Sequence, residues 1–151
     1  MSKVYLMTGI IASGKSTWAK DHVDSNTYIV SKDNIREMLY GKYDYKTSDE
    51  VLIDNISRAI IGTLIQDGCN VIIDECWDTM TCGARERLSD WCKSYGTTDI
   101  EIVYCSSIIG NVDRQMNSKG GTWTMWKNVY DRMLKEFEPP THCLEEVKIE
   151  A

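Results

Sequence analysis

The segment Gly9-Ile10-Ile11-Ala12-Ser13-Gly14-Lys15-Ser16 constrains this chain more than any other feature. Its spacing is G-x-x-x-x-G-K-S, a phosphate-binding P-loop. Such a loop needs a buried strand before it and a helix after it, and both flanks fit. Val4-Tyr5-Leu6-Met7 reads as a short buried strand, and Thr17-Trp18-Ala19-Lys20 can open a helix. Gly9 and Gly14 lack a Cβ, so the backbone can wrap closely around phosphate oxygens with its N–H groups inward. The following helix turns its positive end toward the same anion. Lys15 is expected to reach the β- and γ-phosphates, and the Ser16 hydroxyl to meet Mg²⁺. The expected donor set is Gly9, Ser13, Gly14, Lys15, Ser16 and Thr17, holding ATP or another nucleoside triphosphate.

Strand and helix patterns alternate along the whole chain. Strands are expected at Val4–Thr8, Tyr28–Val30, Val71–Ile73 and Ile100–Cys105, with a short terminal strand at Val147–Ile149. Helices are expected over Lys15–Asp24, Asp33–Tyr40 with Ser31 as its cap, Asp49–Gln66, Thr81–Tyr95, Asn111–Met116 and Thr124–Phe137. In the long helix Val51, Leu52, Asn55, Ile56, Ala59, Ile60, Thr63 and Leu64 follow helical spacing. Gly41–Thr47 reads as a loop. This alternation predicts an α/β chain with the P-loop nucleoside triphosphate hydrolase/kinase fold, a parallel sheet with helices on both faces. The length of 151 residues predicts a single domain over 1–151. Ligands in such sheets bind at the C-terminal ends of the strands.

The net charge of −6 argues against broad coating of nucleic acid, but leaves room for a nucleic-acid end in a local basic pocket. No apolar run approaches ~20 residues, so no membrane partner is expected. Met1-Ser2-Lys3-Val4 enters the first strand without an apolar leader, and the expected location is the cytoplasm. Cys69, Cys76, Cys82, Cys92, Cys105 and Cys143 form no C-x-x-C pair and read as buried or idle thiols. His22 and His142 sit in no motif and read as surface or tail residues.

Asp33, just past the second strand, is placed to take the proton of an acceptor hydroxyl. As a lone helix N-terminal acid it would only favour the helix dipole, but beside a P-loop the base reading is preferred. Arg36 lies one helical turn on and suits a phosphate or carboxylate of the acceptor. Asp74 ends the third strand, where an acid supports Mg²⁺ or orients the loop serine. Ser118-Lys119-Gly120-Gly121 reads either as a lid hinge or as an ordinary helix–helix loop, with Arg114 and Lys119 the nearby cations. Trp123, Trp126, Tyr130, Met133 and Phe137 recur at helical spacing and read as core packing rather than a base-stacking platform.

With these residues in hand, the chain resembles the kinase domain of phage polynucleotide 5′-hydroxyl kinases over nearly its whole length. Gly14-Lys15-Ser16-Thr17-Trp18-Ala19 is similar to that family's loop, and Lys32-Asp33-Asn34-Ile35-Arg36 to its segment with the general-base Asp and the acceptor-phosphate Arg. Ile73-Asp74 matches its second acidic position, and Arg87-Leu88 and Tyr95-Gly96 fall where similar residues occur in its next helix. Asn117-Ser118-Lys119-Gly120-Gly121-Thr122 looks like its lid. This chain departs from the family at Met116 and Gly120, which stand where the family has arginines on the donor phosphates, and at Glu75 and Cys76, which stand where it has uncharged polar residues. The resemblance implies an ATP-dependent kinase acting on a polynucleotide 5′-hydroxyl in the cytoplasm, that of the host if the chain is phage-encoded. Its site would comprise Lys15, Asp33 and Arg36 as catalytic residues, Arg114 and Lys119 with the P-loop on the donor, and Ser16 and Asp74 on Mg²⁺. Two alternatives stay open from the residues: a kinase of a small metabolite or nucleotide, and a nucleotide-binding module without turnover.

Overall fold

The strand β1 (Lys3–Thr8) takes the centre of the sheet because both of its faces are apolar. Val4 and Leu6 point to one side and Met7 to the other, all fully buried. The structure is a computed structural model that describes residues 2–42, 49–75, 77–140 and 147–150, the last stretch by its backbone. Among these residues β1 is joined by β2 (Thr27–Val30), β3 (Asn70–Ile73), β4 (Asp99–Cys105) and β5 (Val147–Glu150), in the order β2-β3-β1-β4-β5. Every neighbouring pair is parallel. Leu6 pairs with Ile73 on one side and with Ile102 on the other, and Val30 pairs with Ile73. This register brings the ends of β1, β2 and β3 to one edge.

Helices cover both faces, as the alternation predicts. α1 (Lys15–Asp21) lays Trp18 and Ala19 against Met7, Ile72 and Val103. On the opposite face α2 (Lys32–Tyr40), α3 (Glu50–Gln66) and α4 (Cys82–Lys93) cover Val4, Leu6, Val71 and Ile73 with Ile35, Ile53, Ile61, Ile65 and Leu88. Burial of each such side chain contributes about 1.5–3 kcal/mol. A third cluster lies at the loop edge. Ile10 and Ile11 of the P-loop pack with Met80, with Val112 of α5 (Asn111–Lys119), and with Trp126 and Met133 of α6 (Trp123–Glu136). Four helices start on side-chain caps: Ser31, Asp49, Thr81 and Thr122 each accept from a backbone N–H three residues on.

Several expectations need correction. In α3 the buried stripe is Ile53, Ser57, Ile61 and Ile65, whereas Val51, Leu52, Asn55, Ala59, Ile60 and Thr63 are exposed. The helix carries two apolar stripes; the small residues Ser57 and Gly62 lie on the buried one, and at Gly62 the helix backbone comes close to Tyr95. A Cβ on Gly62 would lie 2.7 Å from the Tyr95 ring. α1 ends at Asp21 rather than Asp24, because the Asp24 carboxylate accepts from the N–H of Asn26 in a turn. α4 stops at Lys93, with Gly96 at φ 109° turning the chain. α5 runs through Ser118 and Lys119, since nothing before Gly120 breaks a helix, so the expected four-residue hinge contracts to Gly120-Gly121. Trp126 and Met133 are buried as expected, but Trp123 is half exposed. Cys69, Cys92 and Cys105 are free thiols. Cys82 is disulfide-bonded, against the reading of idle thiols; spacing along a chain does not say which thiols the fold brings together. His22 is exposed, as expected. Residues 43–48, Cys76, His142 and Cys143 lie outside the described residues. No helix among the described residues is long and apolar enough to cross a membrane.

Candidate functional site

The loop between β1 and α1 is shaped by three left-handed or strained residues, Gly9 at φ 147°, Ala12 at φ 50° and Gly14 at φ 107°. Gly9 is required by close approach: a Cβ there would collide with the Cys105 carbonyl and stand 2.5 Å from Ser13 Oγ. Lys15 folds back across the loop, its Nζ donating to the carbonyls of Gly9 at 3.0 Å and Ile10 at 2.7 Å. It is buried. Ser13 is buried too, and its Oγ makes no hydrogen bond. Gly14 caps α1 without a side-chain bond, and Ser16 and Thr17 stand exposed on its first turn. The back of the loop is held by α5. The Asn111 amide donates to the Ile11 carbonyl at 2.7 Å and the Ser107 carbonyl at 2.8 Å. Arg114 donates to the Ala12 carbonyl at 2.8 Å and to that of Ile109. Arg114 therefore reaches the P-loop through the Ala12 carbonyl.

Asp74 follows β3 directly, its N–H donating to the Val30 carbonyl at 3.0 Å. The Ser16 hydroxyl donates to Asp74 Oδ2 at 2.8 Å. A hydroxyl and a carboxylate beside a P-loop fit Mg²⁺, which takes one or two protein oxygens and fills its shell with water and substrate phosphates. Among the described residues no group of three or more His, Cys, Asp or Glu side chains is arranged to hold a metal, so this ion would depend on the phosphates.

Asp33 and Arg36 share one face of α2. Arg36 Nη1 donates to Asp33 Oδ1 at 2.7 Å, and the arginine is buried. Its remaining fork is taken by Glu50 at the start of α3, Nε to Oε1 at 3.2 Å and Nη2 to Oε2 at 2.6 Å. Lys119 Nζ lies 3.9 Å from Asp33 Oδ2, so the lysine faces the acceptor side of the edge. Beside them Lys32 is surrounded by acids. Its N–H donates to Glu75 Oε1 at 3.0 Å, and its Nζ pairs with Asp54 at 3.0 Å and with Asp78. Burial alone would lower the Lys32 pKa, but these carboxylates more than offset it and hold it above the usual value. Burial pushes the Glu75 carboxyl well above the carboxylate range, with Asp78 and Asp33 adding to the rise against Lys32.

All the expected site residues thus lie on one edge. Sequence reasoning missed Asn111, Glu50, and the bond from Glu75 to Lys32. None of these sits in a motif, since each acts through a contact made only by the fold. It also missed Arg85, whose fully buried guanidinium donates to the carbonyls of Thr79 at 2.8 Å and Glu138 at 2.7 Å beneath the site.

A parallel sheet of this order with a P-loop after its central strand defines a P-loop kinase fold. The chain belongs to a family described as an AAA domain, whose model matches residues 4–140. No protein of curated function matches the sequence. Among solved structures, the chain is similar to one from the Pnkp1/Rnl/Hen1 RNA repair complex, at 19% identity and a TM-score of 0.69, covering 91% of this chain and 46% of that one. A second structure of the Pnkp1/Rnl/Hen1 complex matches over 38% of its own length. This chain therefore spans less than half the length of both. It is also similar to Chaetomium thermophilum Kti12 in complex with ADP-AlF3, at 14% identity and a TM-score of 0.62 over 98% of this chain and 88% of that one. Shikimate kinase from Acinetobacter baumannii in complex with shikimate gives 13% identity and a TM-score of 0.58 over 100% and 84%. At these identities the likeness is one of fold.

Proposed function

We propose that this chain transfers the γ-phosphoryl group of ATP to an alcohol, and that the acceptor is the 5′-hydroxyl of a polynucleotide end. One observation carries the reading. The Ser16–Asp74 pair ends β3 and the Asp33–Arg36 pair follows β2, and these two strands are neighbours in the sheet. Neighbouring strands lie about 4.8 Å apart. A triphosphate on the P-loop would then present its γ-phosphorus toward an acceptor held by α2.

In this reading Gly9, Ser13, Gly14, Lys15, Ser16 and Thr17 bind the donor phosphates. Ser16 and Asp74 hold Mg²⁺, which when bound neutralises phosphate charge. Asp33 takes the proton of the acceptor hydroxyl as its oxygen bonds to the γ-phosphorus. The bond from that phosphorus to the β–γ bridging oxygen breaks, and ADP leaves. Lys15, Arg114 and Lys119 supply positive charge around the transferring group. Arg36 pairs with an acceptor phosphate once Glu50 yields its place.

A kinase of a small metabolite or nucleotide is the second reading, and the Glu50–Arg36 fork favours it. An arginine already held by two carboxylates has less to offer an anionic acceptor. Transfer of label from γ-labelled ATP decides between them, screened over 5′-hydroxyl DNA, 5′-hydroxyl RNA, nucleosides and small alcohols. Label on oligonucleotide 5′ ends is the expected result. Label on small alcohols alone moves the assignment to the second reading, and bound ATP without transfer to any acceptor leaves a binding module.

A further inference from the structure

Two consecutive residues after β3 send their side chains to the two halves of the site. Asp74 accepts from Ser16 on the P-loop at 2.8 Å, and Glu75 accepts from the backbone N–H of Lys32 at 3.0 Å. Lys32 is the first residue of α2, and Asp33 is the second. We infer that Glu75 is a positioning residue for Asp33, fixing the first turn of α2 against the end of β3 through the Lys32 amide.

Three further observations support this. First, Ser31 caps α2 through the N–H of Asn34 alone, while a helix start leaves four amide donors open. Glu75 takes the one on Lys32, next to Asp33, and does so from a distant segment of the chain. Second, the same connection grips Lys32 again, as Asp78 in the 3-10 turn Trp77–Thr79 pairs with its Nζ. Third, that turn is anchored to the central strand. The Thr79 hydroxyl donates to the Met7 carbonyl at 2.7 Å, and the Thr8 hydroxyl to the Thr79 carbonyl at 2.7 Å. The path from the P-loop strand to the acceptor helix thus runs through short contacts between backbone and fixed side chains. A base must sit within hydrogen-bond reach of the proton it takes, and a displacement of about 1 Å can lower a rate by ~10²-fold.

The inference rests on the reading of Asp33 as the acceptor-side base. Its test separates reach from acidity. Glu75→Asp keeps a carboxyl group and shortens the side chain by one methylene, withdrawing the acceptor from Lys32. Glu75→Gln keeps the reach and an acceptor oxygen and removes the titratable carboxyl. Steady-state transfer kinetics on both, beside thermal melts and a parallel Asp33→Asn protein, give the answer. Glu75→Asp is expected to lower kcat by roughly 10–10²-fold, with KM for ATP within about twofold of the parent. Glu75→Gln is expected to rescue kcat to within about threefold. Parental kcat in Glu75→Asp, or a Glu75→Gln protein as slow as Glu75→Asp, overturns the inference. If Glu75→Asp does not fold, Glu75→Ala takes its place beside Glu75→Gln, a loss of roughly 10–10²-fold in kcat for Glu75→Ala alone supporting the inference and parental kcat in it overturning it. Parental transfer in Asp33→Asn removes the base reading and the inference with it. Loss in Asp33→Asn with both Glu75 proteins at the parental rate removes the inference and leaves the base in place.

Discussion

Nζ of Lys119 lies 3.9 Å from Oδ2 of Asp33, joining the last turn of α5 to the first turn of α2 across the mouth of the site. A lysine on a flexible four-carbon stem can face a carboxylate in one state and a phosphoryl group in the next. Gly120 and Gly121, both at positive φ, let the chain bend just beyond it. Lys119→Ala should therefore lower kcat by about tenfold or more with little change in melting temperature. Gly120→Arg would restore a cation where the resembled family has one, but at φ 75° and ψ −159° it strains the backbone and should lower the melting temperature. Parental kinetics in Lys119→Ala would show that this end of α5 takes no part in transfer.

Lys15 tests the donor half. Its Nζ is held on the Gly9 and Ile10 carbonyls, the place from which it can turn to phosphate oxygens. Lys15→Met keeps most of the buried stem and removes the charge. Transfer should fall by roughly 10²-fold or more, about 3 kcal/mol of transition-state stabilisation, while the fold melts normally. Turnover at the parental rate would sink the kinase assignment.

Glu50 tests the acceptor half. It takes two of the three Arg36 nitrogens, so an acceptor phosphate must compete with it. Glu50→Ala should lower KM for an acceptor that carries a phosphate near its hydroxyl, and leave an unphosphorylated nucleoside little changed. Arg36→Ala should reverse that preference. Equal changes on both acceptors would mean that Arg36 serves only to hold α2 and α3 together.

The sequence made the donor half legible because its chemistry is local. Gly9 to Ser16 is a contiguous motif, and each of its residues acts where its spacing puts it. The strand pattern was equally readable, because Val4, Leu6, Val71 and Ile73 are apolar on one face of the sheet and Met7, Ile72 and Val103 on the other. The buried face of α3 was not, since two apolar stripes compete on one helix, and the small residues Ser57 and Gly62 lie on the buried one. Asn111, Glu50 and Glu75 were illegible for a different reason. Each is an ordinary polar residue whose partner lies far along the chain, as Asn111 lies 100 residues from Ile11. A local pattern cannot encode such a pairing.

Cys92 offers a chemical check on the core. Burial pushes its thiol up to about 11, with Arg58 pulling weakly the other way. At pH 8 only about one molecule in a thousand would carry the thiolate, the form that reacts. A thiol reagent should therefore leave Cys92 unlabelled in the native protein and label it on denaturation, while the half-buried Cys69 reacts first. Raising the pH toward 11 should speed native labelling of Cys92. Peptide mapping after labelling reads both, and rapid labelling at pH 8 would mean that α4 opens readily from the sheet.

Arg85 tests what holds the loop edge together. Its guanidinium is fully buried and bonds the carbonyls of Thr79 and Glu138, with the Thr8 hydroxyl at 3.3 Å. It thereby ties α4 to the end of β1, to the 3-10 turn and to the segment after α6. Arg85→Met preserves much of the volume but leaves the Glu138 carbonyl without this donor and the Thr79 carbonyl with the Thr8 hydroxyl. Stranding a buried polar group in this way costs about 1–3 kcal/mol. In a chain of this size that should lower the melting temperature by roughly 3–10 °C. Transfer kinetics well below the melt should change far less, because the described bonds of Arg85 go to Thr8, Thr79, Cys82 and Glu138 rather than to the residues assigned to donor or acceptor. A melt within about 2 °C of the parent would mean that the bonds of this arginine add no net stability. A normal melt with lost transfer would instead place Arg85 in the path that carries Thr8 and Thr79 to the site.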